Sequence, residues 1–156
     1  MRRVGVLLAW AALAVPGCAG AAAFPPAGHW RGVYQCAQGN TALDLTIVPV
    51  SPTVLTALFY FHAIAANQGV PSGCFLMQGT YDAASASVDL TPTVWLARPA
   101  GYVSVGLAGI VGQGGAVLSG AVFGPACSHF SLAATDQPDM PPAPAVCRIA
   151  GKGPTV

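Results

Sequence analysis

Apolar and polar residues alternate with a period of two along most of this chain, the pattern of half-buried β-strands. In residues 29–38, Trp30, Gly32, Tyr34 and Cys36 fall on one face; in 41–48, Leu43, Leu45 and Ile47 alternate with Asp44 and Thr46. Residues 54–62 are β-branched and aromatic, with Leu55, Ala57, Phe59 and Phe61 sharing one side. The same reading predicts strands over 74–81, 86–90, 102–108, 116–123 and 128–133. Turn residues separate them: Gly39-Asn40, the segments 67–73, 82–85 and 112–115, and Gly124-Pro125. Residues 92–99 have a proline at each end, break the alternation, and read as a loop carrying Trp95 and Arg98.

About eight strands with short connections and no amphipathic helical pattern predict an all-β fold, an antiparallel meander closed or nearly closed into a barrel. A β-sandwich is the alternative. The domain is expected over 24–135, followed by an irregular proline-rich tail over 136–156.

The start of the chain reads differently. Arg2 and Arg3 precede an uncharged apolar run from Val4 to Val15, too short to span a bilayer, then Pro16-Gly17 and a row of small residues. Residues 1–23 are expected to be an export signal, with cleavage before Ala22 or Phe24, which makes the product periplasmic or secreted. Val15-Pro16-Gly17-Cys18 resembles a bacterial lipobox, which implies a lipid on Cys18 and a membrane-anchored product; otherwise Cys18 leaves with the signal.

Export changes how the cysteines are read. Without Cys18 they are Cys36, Cys74, Cys127 and Cys147, an even set with no CxxC pair, so two disulfides are expected and three connectivities are open. In an eight-stranded meander Cys36 ends the first strand and Cys127 opens the last, at the same end of neighbouring strands. That favours Cys36–Cys127, leaving Cys74–Cys147 to pin the tail.

Charge is sparse, 7% of residues against about 25% in ordinary soluble proteins. Beyond Arg2 and Arg3, the basic residues Arg31, Arg98, Arg148 and Lys152 face five aspartates and no glutamate. No basic patch exists for phosphates, so nucleic acid is not an expected partner. Few aromatics fall at strand ends, which argues against the aromatic girdles of an outer-membrane barrel.

Candidate chemistry is thin. His29, His62 and His129 share no i,i+2 or i,i+4 spacing, so no metal site or other cofactor is expected. Asp44 and Asp89 are expected to face solvent and Asp82 to sit in a turn, which leaves no carboxylate pair converging on a cleft. Ser128 and His129, as adjacent strand residues, are expected to point to opposite faces and not to pair. No catalytic residue is assigned and no enzymatic activity is expected.

Trp95, Arg98 and Tyr102 are the binding candidates, because these residue types dominate interface hot spots and prolines 92 and 99 stiffen their segment. In the alternative reading Trp95 folds back over the barrel mouth with Arg98 stacked on it. Small residues at expected interior positions, Ala57, Gly79 and Ala121, leave room for a hollow.

Residues 28–36, Gly-His-Trp-Arg-Gly-Val-Tyr-Gln-Cys, resemble the first strand of a type of small exported bacterial β-domain with Trp-x-Gly-x-Tyr-x-Cys. Gly79-x-Tyr81-Asp82, Pro92-x-x-Trp95, Pro99-x-Gly101-Tyr102 and Gly124-Pro125-x-Cys127 extend the likeness, which implies an architecture and no chemistry. Gly28-x-Trp30 is similar to the lipocalin and avidin start, where the tryptophan plugs one end of a barrel. Tyr34-x-Cys36 is similar to the periplasmic inhibitors of c-type lysozyme, whose Ser- and Lys-bearing loop motifs this chain lacks. The expected function is therefore binding, without catalysis, in the cell envelope. The partner is an apolar or envelope ligand or, alternatively, an envelope enzyme held by an inhibitor or accessory protein.

Overall fold

The computed structural model of the chain describes residues 26–137 and 142–148. The expected export signal, Cys18 and Lys152 lie outside the described residues. Eight antiparallel strands follow one another: β1 (Gly28–Cys36), β2 (Gly39–Pro49), β3 (Val54–His62), β4 (Gly73–Asp82), β5 (Ser87–Ala97), β6 (Gly106–Gly112), β7 (Val117–Phe123) and β8 (His129–Thr135). Each pairs with its neighbours in sequence, and β1 pairs with β8 from His29↔Thr135 to Tyr34↔Phe130, closing the barrel. The meander and its closure are those the alternation predicts. Cys36–Cys127 ties the end of β1 to the turn before β8, and Cys74–Cys147 fastens the tail to β4.

The predicted interruption at 92–99 is corrected by the structure: β5 runs on through Pro92 and Trp95 to Ala97. Proline is admitted because Pro92 pairs with Met77 beside a bulge, while β6 engages β5 only over Ser87 to Leu90. Beyond Leu90 the missing N–H of Pro92 therefore faces no ladder. Tyr102, expected at the start of a strand, lies instead in the 98–105 connection, and β6 begins at Gly106.

Inward-facing side chains fill most of the interior. Leu43, Leu45, Ile47, Leu55, Phe59, Phe61, Phe75, Met77, Leu90, Leu107, Leu118 and Leu132 are all but fully buried. Trp30 belongs to the same core, and its indole Nε1 donates to the Pro26 carbonyl at 3.1 Å. Two of the small residues expected to leave a hollow do not. Ala121 is on the exposed outer face, and at Gly79 the backbone of β5 occupies the space a side chain would need.

Part of the outer face of β3 and β4 is covered as well, because β3 is apolar on both sides there. Leu58, Tyr60 and Cys74 are buried against Ala143 and Cys147. The tail was expected to be irregular and held only by Cys147. Its described part is irregular apart from a 3-10 turn over Ala145–Cys147, and it packs through Ala143 as well as through Cys147.

Candidate functional site

Strand length decides where the barrel is not filled. β1 to β5 run 9, 11, 9, 10 and 11 residues, whereas β6, β7 and β8 have 7 each. At one end the wall on the β6–β8 side is therefore low, and the 98–105 loop and the turn at 124–128 stand in for it. Between these loops and the tall strands lies a cavity of about 360 Å³. Phe59, Phe61, Phe75 and Tyr34 come from the tall side, Tyr102, Val103 and Val105 from the loop, and Cys36–Cys127 forms part of the rim. Its size is near the low end of the roughly 300–1,000 Å³ of small-molecule pockets.

The rings are packed in a defined array. Phe59 stacks on Phe75 at 4.5 Å between centroids, Phe61 stacks on Tyr102 at 5.4 Å, and Tyr34 meets Phe59 edge-on at 5.2 Å. Trp95 meets Phe75 and Phe61 edge-on at 4.9 and 6.3 Å from its place on β5. The Arg98 guanidinium lies 5.8 Å from the Trp95 ring centre, and its Nε donates to the Tyr102 carbonyl at 2.9 Å. The three candidates thus come together, with Trp95 on β5 behind Phe75 and Phe61 and Arg98 over its ring. Of the three, Tyr102 lines the cavity; Trp95 buttresses it from behind and Arg98 holds the loop.

The polar part of the lining centres on Tyr34 and Gln38. Gln38 Nε2 donates to the Tyr34 hydroxyl at 3.0 Å, and the Asn67 amide donates to the Gln38 backbone carbonyl at 2.6 Å and to that of Asn40 at 3.1 Å. Asn67 thereby clips the β3–β4 loop to the β1–β2 turn and fixes Gln38 at the rim. Burial, with the Tyr102 phenol adding to it, pushes the Tyr34 pKa far above its ordinary value, so Tyr34 keeps its proton throughout the working range. Among the described residues no charged side chain lines the cavity.

Asp44 is a correction to the expected solvent-facing position: it is 6% exposed. On the outer face it binds Arg31 Nε through Oδ1 at 2.5 Å and His62 Nε2 through Oδ2 at 3.0 Å. His62 Nδ1 faces the Ala63 carbonyl at 2.9 Å, so both ring nitrogens meet acceptors and the imidazolium is the form that fits. The hydrogen bond to Asp44 raises the His62 pKa against burial. Burial would raise that of Asp44, but the hydrogen bonds and charges of His62 and Arg31 outweigh it and hold the carboxyl below its ordinary value.

The signs give a window. Asp44 contributes stability above the unfolded value of 3.8 and loses it as pH falls through its lowered folded value. His62 contributes fully below the unfolded value of 6.5 and loses it as pH rises through its raised folded value. Stability is expected to be greatest between these limits and to decline by about 1–2 kcal/mol on the alkaline side. Urea titrations across pH check this: His62→Gln should flatten the alkaline decline, and an unchanged decline would assign it to another group.

Ser128 and His129 are a second correction. Ser128 precedes β8, so the pleat does not govern it, and its hydroxyl lies 3.0 Å from His129 Nδ1 and 3.2 Å from Gln35 Oε1. The pair is exposed, and among the described residues no carboxylate holds the ring. Among the same residues no three of His, Cys, Asp and Glu gather as a metal set would require.

The cavity residues that the sequence does not single out are Ala37, Gln38, Val103 and Val105 on the loops and Phe75 on β4. The alternation of β3 places Phe59 and Phe61 on the interior side and gives them no further role. No protein-family model, curated protein or solved structure matches the chain.

Proposed function

We propose that this chain is an exported, non-enzymatic binding domain whose barrel mouth takes a small, uncharged, largely apolar ligand. The observation that carries the reading is the cup of about 360 Å³ with an aromatic floor and, among the described residues, no charged lining, in an interior otherwise filled by side chains. Two disulfides support an oxidising compartment, in keeping with the leader-like start of the sequence. The buried Trp30, far from the cup, supports the likeness to lipocalin and avidin barrels, in which a first-strand tryptophan closes one end.

The experiment is a titration with N-phenyl-1-naphthylamine, a neutral ring compound whose emission rises in apolar surroundings. The purified chain is expected to saturate at one probe per molecule. Emission that never rises, or that rises without saturating, would remove the cup as a binding site.

A further inference from the structure

We propose that the cup is selective for uncharged, ring-bearing ligands whose polar substituent pairs with the Gln38 carboxamide. This rests on the binding reading above and names the ligand class of the same site.

Three features of the lining support it. First, Tyr34, Phe59, Phe61, Phe75 and Tyr102 present faces and edges in fixed stacked and perpendicular orientations. A planar ring entering such an array gains offset or edge contacts about 0.5–1.5 kcal/mol beyond its area burial, which a flexible chain of equal size does not. An alkyl chain would also lose rotamer freedom on confinement. The volume is that of roughly a dozen waters, enough for one or two fused rings and a substituent.

Second, an ionised ligand would be desolvated among these residues without a counter-charge. The nearby cation, Arg98, is outside the lining, where it donates to the Tyr102 carbonyl and covers Trp95.

Third, Gln38 is both positioned and available. Its backbone is held by Asn67 and one side-chain N–H is given to Tyr34, which leaves its Oε1 and a second N–H for a ligand. The Tyr34 hydroxyl, already accepting from Gln38, serves to aim that amide. A group with a donor beside an acceptor, such as a carboxamide, matches Gln38 in a two-point pairing.

Displacement of N-phenyl-1-naphthylamine by four matched competitors tests each part. 2-Naphthamide carries ring and amide, decanamide the amide without the ring, 2-naphthoate the ring with a charge, and naphthalene the ring alone. The expected order places 2-naphthamide first, about thirtyfold ahead of naphthalene for two net hydrogen bonds. It should lead 2-naphthoate by about a hundredfold, the penalty for an unpaired buried carboxylate. Gln38→Leu should bring the ratio of 2-naphthamide to naphthalene close to one. Because both are measured on the same variant, a general loss of folding cannot imitate that result.

Equal displacement by decanamide overturns the ring preference, and equal displacement by 2-naphthoate overturns the exclusion of charge. A ratio unchanged by Gln38→Leu overturns the assignment of Gln38. These failures leave the cup as a binding site, whereas a probe that does not bind at all removes the cup and this inference with it.

Discussion

Gly79→Val is expected to lower stability by about 4 kcal/mol or more, enough to leave much of the chain unfolded at ordinary temperature. Gly79 is on the inward face of β4 opposite Leu90 of β5, and a Cβ there would collide with the Asp89 carbonyl. Backbone cannot move aside as a flexible side chain does, so β4 and β5 would have to part at that point. The same close approach recurs at Gly32 against Ser131 of β8 and at Gly120 against Ala108 of β6. Thr80→Val, the outward-facing neighbour, should change stability by less than about 0.5 kcal/mol. Urea unfolding followed by far-ultraviolet circular dichroism separates the two. If Gly79→Val were as stable as the parent, the wall would not be pressed together at that point.

Replacing both Cys36 and Cys127 by alanine is expected to cost about 4–5 kcal/mol, since the bond closes a separation of 91 residues. Replacing Cys74 and Cys147 opens a comparable separation of 73 residues, and the entropy cost on the unfolded chain should be similar. The two variants should nonetheless differ in binding. Cys36 and Cys127 line the cup and hold the turn at 124–128 against β1, whereas Cys74 and Cys147 belong to the outer-face cluster under the tail. Loss of the first pair should weaken N-phenyl-1-naphthylamine by about tenfold or more, an opening of the rim worth roughly 1.4 kcal/mol. Loss of the second pair should leave the probe affinity unchanged at temperatures where both variants are folded. Equal effects on the probe would mean that the rim is held by packing and not by the bond.

The features legible in the sequence were those that alternate with a period of two. Leu43, Leu45 and Ile47 on β2, and Leu55, Ala57, Phe59 and Phe61 on β3, are inside because the pleat puts them there. Closure follows from the exposed edges that an open meander would leave, and the Cys36–Cys127 pairing from the two cysteines lying at the same end of the first and eighth strands. The hollow was not legible, because it comes from a difference in height between β1–β5 and β6–β8 that depends on where pairing stops. Pro92 misled for a related reason: a proline stops a strand only where its missing N–H is needed, and β6 has already ended its pairing at Leu90. Asp44 misled because alternation assigns a face and says nothing of what lies over that face. Arg31 and His62, distant in sequence, gather around it only once β1, β2 and β3 are side by side. Ser128 depended on a single boundary, since one residue outside the strand escapes the pleat. Tyr102 was singled out for its residue type, yet its place in the cup depends on the 98–105 loop turning inward to stack on Phe61.

The central claim is that ligand occupies the mouth of the barrel, and plugging that mouth tests it most directly. Val103 is half exposed at 52% and lines the cup, so Val103→Trp puts a large ring into it without disturbing the filled interior. Val50, 64% exposed in the β2–β3 turn at the opposite end, supplies the control Val50→Trp. Titration of both with N-phenyl-1-naphthylamine should show saturable one-to-one binding retained in Val50→Trp and lost in Val103→Trp. Binding retained by a folded Val103→Trp chain at the affinity of the parent would place the ligand elsewhere and contradict the account.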